Sequence, residues 1–294
     1  MRIETVLKNW ELDAPEIDEQ FNEESERLIF RIRTFSQDYL LKGQPCGMSE
    51  TTVKSNVRAH LFLGNEKGMA PKLYPTKTGE FYISNQGYWF YLMEFIEGRK
   101  LEETPEDAYK IGQAARKLHN LQGYDVKSPM TQSKERFYTW FLKHSFVKEF
   151  DAILDALPDF EMLDQCFVHT DIGPHNTMLR QDGEVVFIDL DDAGIGSRYL
   201  DVGWPFIMQF VDFNHETEEM NYRFDLAQNF LRGYFGEGKI SRKEYDLIFQ
   251  GAIQMHISYM QVYGPYAVDS LWKILLFGIE QKEQLWKMIQ RNNC

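Results

Sequence analysis

Asp171, Asn176 and Asp189 are the residues of this 294-residue chain whose types and spacing best suit chemistry. They lie in the stretch Phe167-Val168-His169-Thr170-Asp171-Ile172-Gly173-Pro174-His175-Asn176, followed by Thr177 to Asp189. Thr177 to Leu179 and Val185 to Ile188 read as strands, and Asp182-Gly183 between them is a favoured two-residue hairpin turn. The centre of the span from 176 to 189 falls between those turn residues, so a hairpin folded there sets Asn176 opposite Asp189. An amide oxygen and a carboxylate then converge at its open end, where Asp171 arrives from the preceding loop. Three hard oxygen donors with no thiolate suit Mg²⁺ and substrate phosphates better than zinc. Asp and Asn are also ordinary loop residues, and Gly173-Pro174 an ordinary turn. The step from Asp171 to Asn176, combined with a hairpin that returns Asp189, favours chemistry over a simple loop.

These groups need elements to hold them. Leu28, Phe30 and Ile32 alternate with Arg27, Ile29, Arg31 and Arg33, and the turn Thr34 to Gln37 leads into Asp38 to Lys42, which predicts a hairpin over 27–42. Phe81 to Ser84 and Tyr88 to Phe95 flank Asn85-Gln86-Gly87, a second hairpin signal. Met48 to Glu66 reads as one helix capped by Ser49. Past Gly98 the pattern turns helical. Thr104-Pro105-Glu106-Asp107 supplies a capping hydroxyl, a proline at the first helical position and first-turn acids. Ala108, Ile111, Ala115, Leu118 and Leu121 continue it at steps of three and four. The same spacing runs through Met220, Phe224, Ala227, Leu231 and Tyr234, and again from Tyr245 to Met260. A small strand-rich lobe (1–96) therefore precedes a larger helical one (97–294), with the junction near Glu94 to Gly98.

Composition narrows the function classes. With 43% hydrophobic and 26% charged residues the chain is globular, and its length fits two domains or one two-lobed unit. A net charge of −13 repels phosphate backbones and anionic lipid, so neither nucleic acid nor a membrane is an expected partner. The charged N-terminus is unlike a signal peptide, and the apolar run Leu271 to Ile279 is interrupted by Lys273 and Gly278. Cys46, Cys166 and Cys294 are far apart and form no paired motif. The expectation is a cytoplasmic protein without a disulfide framework or a cysteine zinc site; oligomeric state is not legible.

His169-Thr170-Asp171 with Asn176, then Phe187-Ile188-Asp189, resembles the signature of the aminoglycoside phosphotransferase and choline kinase family, whose fold is similar to that of protein kinases. The likeness extends over most of the chain. Tyr39-Leu40-Leu41-Lys42 sits where the family keeps a phosphate-contacting lysine, and Leu92 to Gly98 looks like its interlobe hinge. Ile111-Gly112 through Leu118-His119 looks like the helix that follows, and Asp189 to Gly194, then Asp201-Val202-Gly203, like the run after the metal ligand. The resemblance implies an α+β, two-lobed protein-kinase-like fold, with a small antiparallel-sheet N-lobe for nucleotide and a larger helical C-lobe for catalysis and acceptor. It implies ATP and Mg²⁺ as cofactors and phosphorylation of a small-molecule hydroxyl. Asp171 would accept or orient the acceptor hydroxyl, Asn176 and Asp189 would hold Mg²⁺, and Lys42 would neutralise the α- and β-phosphates. The backbone of Glu94 and Ile96 would meet the adenine edge. His169 and Asp201 read as loop-holding residues and His175 as a loop residue. Asp191, two positions past Asp189, either shares its face or is solvated.

The chain also departs from the pattern. Thr170 stands where protein kinases have arginine, so control through a phosphorylated activation loop is not expected. The helix acid that should pair with Lys42 falls near Asn56 or Val57, where there is none; Glu50 serves only in another register. The loop near Asn22 to Ser25 is not glycine-rich. Gly233 to Lys239 imitates the start of a P-loop, but Ile240 follows and a helix precedes it. Gly194 and Gly196 make no dinucleotide fingerprint, because Tyr199 occupies the third glycine's place. For the acceptor, Glu216, Glu219 and other acids after 205 favour a polyamine such as an aminoglycoside, whereas Trp204 and Trp272 favour a choline-like cation; homoserine and sugars stay open. Two other readings remain: a metal-dependent hydrolase with His169, Asp171, His175 and Asp189 as ligands, and a non-catalytic nucleotide-binding pseudokinase.

Overall fold

A computed structural model of the chain describes residues 2–21, 26–47, 49–131, 143–236 and 238–292. In chain order the elements are α1 (Ile3–Leu7), β1 (Glu16–Phe21), β2 (Leu28–Arg33), β3 (Asp38–Pro45), α2 (Glu50–His60), β4 (Leu73–Tyr74), β5 (Ile83–Asn85), β6 (Tyr88–Glu94) and β7 (Gly98–Lys100). Then follow α3 (Pro105–His119), α4 (Val147–Asp155), β8 (Gln165–Val168), β9 (Thr177–Arg180), β10 (Val185–Phe187) and β11 (Gly194–Ser197). The chain finishes with α5 (Arg198–Met208), β12 (Val211–Phe213), β13 (Met220–Tyr222), α6 (Phe224–Phe235) and the helical run α7 (Arg242–Asn292), whose backbone breaks at Ala267. These residues divide into two compact units, 1–99 with 178–191, and 100–177 with 192–294. The segment 178–191 thus belongs to the first unit although it follows residue 97.

The first unit is built on an antiparallel sheet ordered β1-β2-β3-β6-β4, with β5 also on β6. The predicted 27–42 hairpin forms as β2 and β3, with Ile29 opposite Lys42 and Arg33 opposite Asp38. The second hairpin turns at Gln86 and Gly87, both at positive φ, which matches the twist of the strands they join. Alternation puts Phe30, Ile32, Leu41, Phe90 and Leu92 in a core with Ile3, Val6 and Trp10 of the N-terminal segment. Ser49 caps α2 by accepting from the Thr52 amide at 3.2 Å. The helix gives way to wider, π-type turns over Leu61–Glu66, so 48–66 is not one uniform helix; Met48 lies outside the described residues.

The second unit is mostly helical. Thr104 caps α3, accepting from the Asp107 amide at 3.3 Å, with Pro105 at the first helical position. α3 packs on α6, and α5 on α7. Both crossings bring main chains together at glycines. A Cβ on Gly112 would lie 2.1 Å from the Phe230 carbonyl oxygen, and one on Gly233 2.0 Å from that of Tyr109. On the other pair, a Cβ on Gly203 would meet the Ala252 nitrogen at 2.4 Å, and one on Gly251 the Tyr199 carbonyl oxygen at 2.0 Å. The stripe expected from Met220 to Tyr234 is helical only from Phe224, since Met220–Tyr222 pairs with β12 instead. Among the described residues no helix is long and apolar enough to cross a membrane.

Candidate active site

The second unit carries the His169–Asn176 loop between β8 and β9. Asp201 of α5, fully buried, anchors it: its carboxylate accepts the His169 amide at 2.8 Å and the Thr170 amide at 2.6 Å. The same carboxylate meets His119 Nε2 of α3 at 2.9 Å, and His119 Nδ1 meets the Tyr234 hydroxyl of α6 at 2.8 Å. Three helices therefore converge on one loop. Thr170 sits at φ +74°, a left-handed conformation that a β-branched residue adopts only when its surroundings impose it. His169 has the loop-holding role read from sequence, its Nδ1 accepting the Asp171 amide at 3.3 Å. Gln209, just past α5, donates to the Ile172 carbonyl at 2.7 Å and fills the space beside Gly173. Nothing in the residue pattern pointed to Gln209.

This anchoring presents Asp171 with both carboxylate oxygens engaged. Asn176 Nδ2 donates to Oδ2 at 2.7 Å and to the Asp171 carbonyl at 3.1 Å, while His175 Nε2 lies 3.0 Å from Oδ1. His175 is thus more than a loop residue. Because the Asn176 amide spends its nitrogen on Asp171, its oxygen is the end left to serve as a hard donor. Burial pushes the Asp171 carboxyl up, but the hydrogen bond and charge of His175, with His169 and Trp204, outweigh it and hold the carboxyl below its ordinary value. Trp204 is buried on α5, and its ring meets Tyr259 edge-on at 5.7 Å. Trp272 stacks on Phe146 at 4.6 Å. Glu216 and Glu219 are exposed in the turn between β12 and β13, away from any of these groups' hydrogen bonds: Glu219 accepts from the Thr217 hydroxyl at 3.3 Å, and neighbouring Glu218 pairs with Lys273 at 2.8 Å.

The first unit carries the other charged cluster. Lys42 of β3 is 7% exposed, and its ammonium lies 2.7 Å from Asp189 Oδ1 and 3.3 Å from both Asp191 oxygens. Arg27 adds 3.0 Å to Asp189 and 3.5 Å to Asp191. Burial works against the Lys42 ammonium, yet Asp191 and then Asp189 overcome it and raise its pKa. Burial likewise pushes the Asp189 carboxyl up, but Lys42 and Arg27 bring it well below the usual carboxylate range. Asp189 has φ +60°, so the chain turns sharply there and both acids reach Lys42. Glu50 is not Lys42's partner; it pairs with Lys54 at 2.9 Å and accepts from Tyr82. The Asn22 to Ser25 loop lies outside the described residues.

The β9–β10 hairpin in this unit differs from its expected form. Arg180 and Glu184 close it through an amide-to-carbonyl bond of 2.9 Å, and the Gly183 amide donates to the Arg180 carbonyl at 3.0 Å. The loop therefore holds three residues, Gln181 to Gly183, rather than two. Gly183 at φ +87° occupies the left-handed place after a tight turn, which a two-residue reading of Asp-Gly overlooks. Arg180 grips Glu94 at the end of β6 with two bonds of 2.6 and 2.9 Å, and burial's upward push on Glu94 is overcome by Arg180 and the Lys72 amide. The Glu94 amide donates to the Lys72 carbonyl at 2.8 Å, which leaves its carbonyl as the main-chain group at that position, and Ile96 two residues on is buried.

Residues 19–239 match the model of the phosphotransferase enzyme family. The aminoglycoside phosphotransferase of Alicyclobacillus acidocaldarius subsp. acidocaldarius DSM 446 superposes with a TM-score of 0.62 at 14% identity, over 100% of this chain and 96% of that one. The amicoumacin kinase hAmiN, solved with AMP-PNP, Ca²⁺ and Ami, gives 0.63 at 14% identity over 96% and 92%. A microcompartment-associated aminopropanol kinase gives 0.63 at 12% identity over 99% and 98%. At these identities the likeness establishes a kinase-like phosphotransferase fold, as the motifs led one to expect. Among curated proteins, none matches the sequence.

Proposed function

From the premise that the chain belongs to the phosphotransferase enzyme family and is a small-molecule phosphotransferase, we propose that it transfers the γ-phosphoryl group of ATP, used with Mg²⁺, to a hydroxyl of an amine-bearing acceptor. The observation that carries this reading is the state of Asp171: ionised, held on both oxygens by Asn176 and His175, on a loop tied to Asp201. Such a carboxylate accepts or orients an acceptor hydroxyl without first giving up a proton. Phosphoryl transfer asks the protein mainly for positioning and charge neutralisation, and the buried Asp201 anchors supply the first. Lys42, kept charged by its two carboxylates, meets the α- and β-phosphates; the Glu94 carbonyl and the Ile96 amide meet adenine.

The donor set suits a hard divalent cation. Asn176 has its amide oxygen to give, Asp189 is ionised, and neither residue comes with a thiolate. Asn176 and Asp189 would hold it, and it would offset the charge that develops during transfer. Hydrolytic use of His169 as a metal ligand is disfavoured, because His169 spends its Nδ1 on the loop.

The amine preference rests on a chain of net charge −13 and on the aminoglycoside and aminopropanol named with its structural neighbours. An aminoglycoside-like acceptor is favoured, with Trp204, Glu216 and Glu219 as its candidate contacts; choline, homoserine and sugars are the next classes to try. ADP release should be measured with Mg²⁺ and ATP over aminoglycosides, amino alcohols, choline analogues and sugars. Release stimulated by an amine-bearing alcohol and abolished in Asp171→Asn supports the proposal. Stimulation by neutral sugars alone would remove the amine preference, and nucleotide binding without turnover on any acceptor would favour the pseudokinase reading.

A further inference from the structure

We propose that Asp191 is the residue that positions Lys42, taking the part that helix α2 leaves unfilled because its one acid, Glu50, pairs with Lys54. The inference rests on the reading of Lys42 as the phosphate contact and adds to it the group that keeps that lysine aimed. Four side chains converge on Asp191. Lys42 lies 3.3 Å from each oxygen, Gln44 Nε2 donates to Oδ2 at 2.6 Å, and Arg27 approaches at 3.5 Å. The fourth is Asn56 of α2, 4% exposed. With its amide turned so that nitrogen meets acceptors, Asn56 donates to the Asp191 carbonyl at 2.8 Å and to the Thr52 carbonyl at 3.1 Å. The helix thus holds the main chain of Asp191, and Asp191 supplies the carboxylate.

The arrangement has a chemical reason. Lys42 has two carboxylate partners, but Asp189 is the one assigned to the divalent cation and has its shortest contact, 2.7 Å, to Lys42. An oxygen shared with a cation is a weaker partner for an ammonium. A nine-tenths buried ammonium whose other partner turns to a cation keeps its direction only if a second carboxylate holds it, and Asp191 lies 3.3 Å away on both oxygens. Its side chain is 12% exposed and already engaged on both oxygens, which makes it poorly suited to greet an acceptor.

Asp191→Asn keeps the size of the side chain and removes its charge. Binding of Mg²⁺·AMP-PNP by calorimetry and steady-state kinetics should be measured for Asp191→Asn, Lys42→Met and the double variant. We expect roughly tenfold or greater weakening of AMP-PNP binding and a matching rise in the ATP KM for Asp191→Asn, with the acceptor KM unchanged, since displacing one positioned group costs on that scale. The double variant should be no weaker than Lys42→Met alone, because Asp191 acts through that lysine. Additive losses in the double variant, a shifted Mg²⁺ half-saturation at fixed AMP-PNP, or a raised acceptor KM would each overturn the proposal. If Lys42→Met itself leaves ATP use unchanged, it is the phosphate-contact reading that fails. Should Asp191→Asn unfold, Gln44→Met, which removes the brace on Oδ2 together with the acceptor of the Tyr91 hydroxyl, must show a smaller effect of the same kind, and unaltered AMP-PNP binding there counts against the proposal.

Discussion

The Asp201 carboxylate holds the Thr170 amide at 2.6 Å, and Thr170 lies at φ +74°. A buried acid on one helix thereby fixes a strained residue immediately before Asp171. Backbone strain of this kind costs on the order of 1–3 kcal/mol and persists only where neighbouring contacts impose it.

Asp201→Asn should release that strain into the loop. The amide puts an N–H where donors from His169, Thr170 and His119 converge, leaving at least one unsatisfied. We expect a stability loss of about 3 kcal/mol in denaturant unfolding. The kcat should fall by roughly 100-fold with the ATP KM little altered, because the loop is misplaced rather than the nucleotide contacts.

Asp171→Asn tests the reaction itself. Its carboxylate is the proposed acceptor of the hydroxyl proton, so kcat should drop by roughly 10²–10⁴-fold. Asp189→Ala should do the same through the lost cation ligand. Neither change should abolish folding by circular dichroism. Near-normal turnover in either variant would remove that residue from the mechanism.

Arg180→Met separates the hinge from the catalytic loop. Arg180 ties the β9–β10 hairpin to Glu94 at the end of β6, and both side chains are about one-fifth exposed. The ion pair is worth about 1 kcal/mol of stability at most. The ATP KM should rise roughly threefold to tenfold as the Glu94 carbonyl drifts, with the acceptor KM unchanged. Equal effects on both KM values would show that the pair steadies the whole first unit.

His256 gives a pH signature unrelated to catalysis. Its ring is fully buried in α7, Nε2 meets the Leu271 carbonyl at 2.8 Å, and burial lowers its pKa from 6.5 to about 4. The unfolded chain therefore takes up this proton first as the medium is acidified. The contribution to stability is complete above about pH 6.5 and is lost as pH falls toward 4. Comparing unfolding midpoints of the parent and His256→Gln from pH 7.5 to 4 should show an extra loss in the parent of up to about 3 kcal/mol.

Local signals in the sequence were dependable. Thr104 and Ser49 cap the helices they were expected to cap, and the 27–42 hairpin forms, because these outcomes depend on neighbouring residues alone. The hairpin after Asn176 was legible as a hairpin but not in its loop length, since Asp-Gly suits both a two-residue and a three-residue turn. Met220 to Tyr222 carries spacing compatible with a helix, and only pairing with Val211 to Phe213 decides for a strand. The partners of Lys42 were hidden for another reason. A search along α2 finds no acid near Asn56 or Val57, whereas Asp191 lies 149 residues from Lys42 in sequence and arrives through tertiary folding. Gln44 was within reach, two residues along the same strand face. Gln209 and the left-handed Thr170 had no sequence signal.

The four glycines at the α3–α6 and α5–α7 crossings set a limit on how this protein can vary. Gly203 is two residues from Asp201, and Gly233 adjoins Tyr234, so the main-chain contacts they permit sit beside the groups that hold the catalytic loop. A single methyl at any of them meets a main-chain atom that cannot rotate aside. Spreading α3 from α6 would lengthen the contact between Tyr234 and His119, and moving α5 off α7 would shift the helix that carries Asp201. Four hydrogen atoms thus calibrate the reach of the contacts that hold the loop of Asp171.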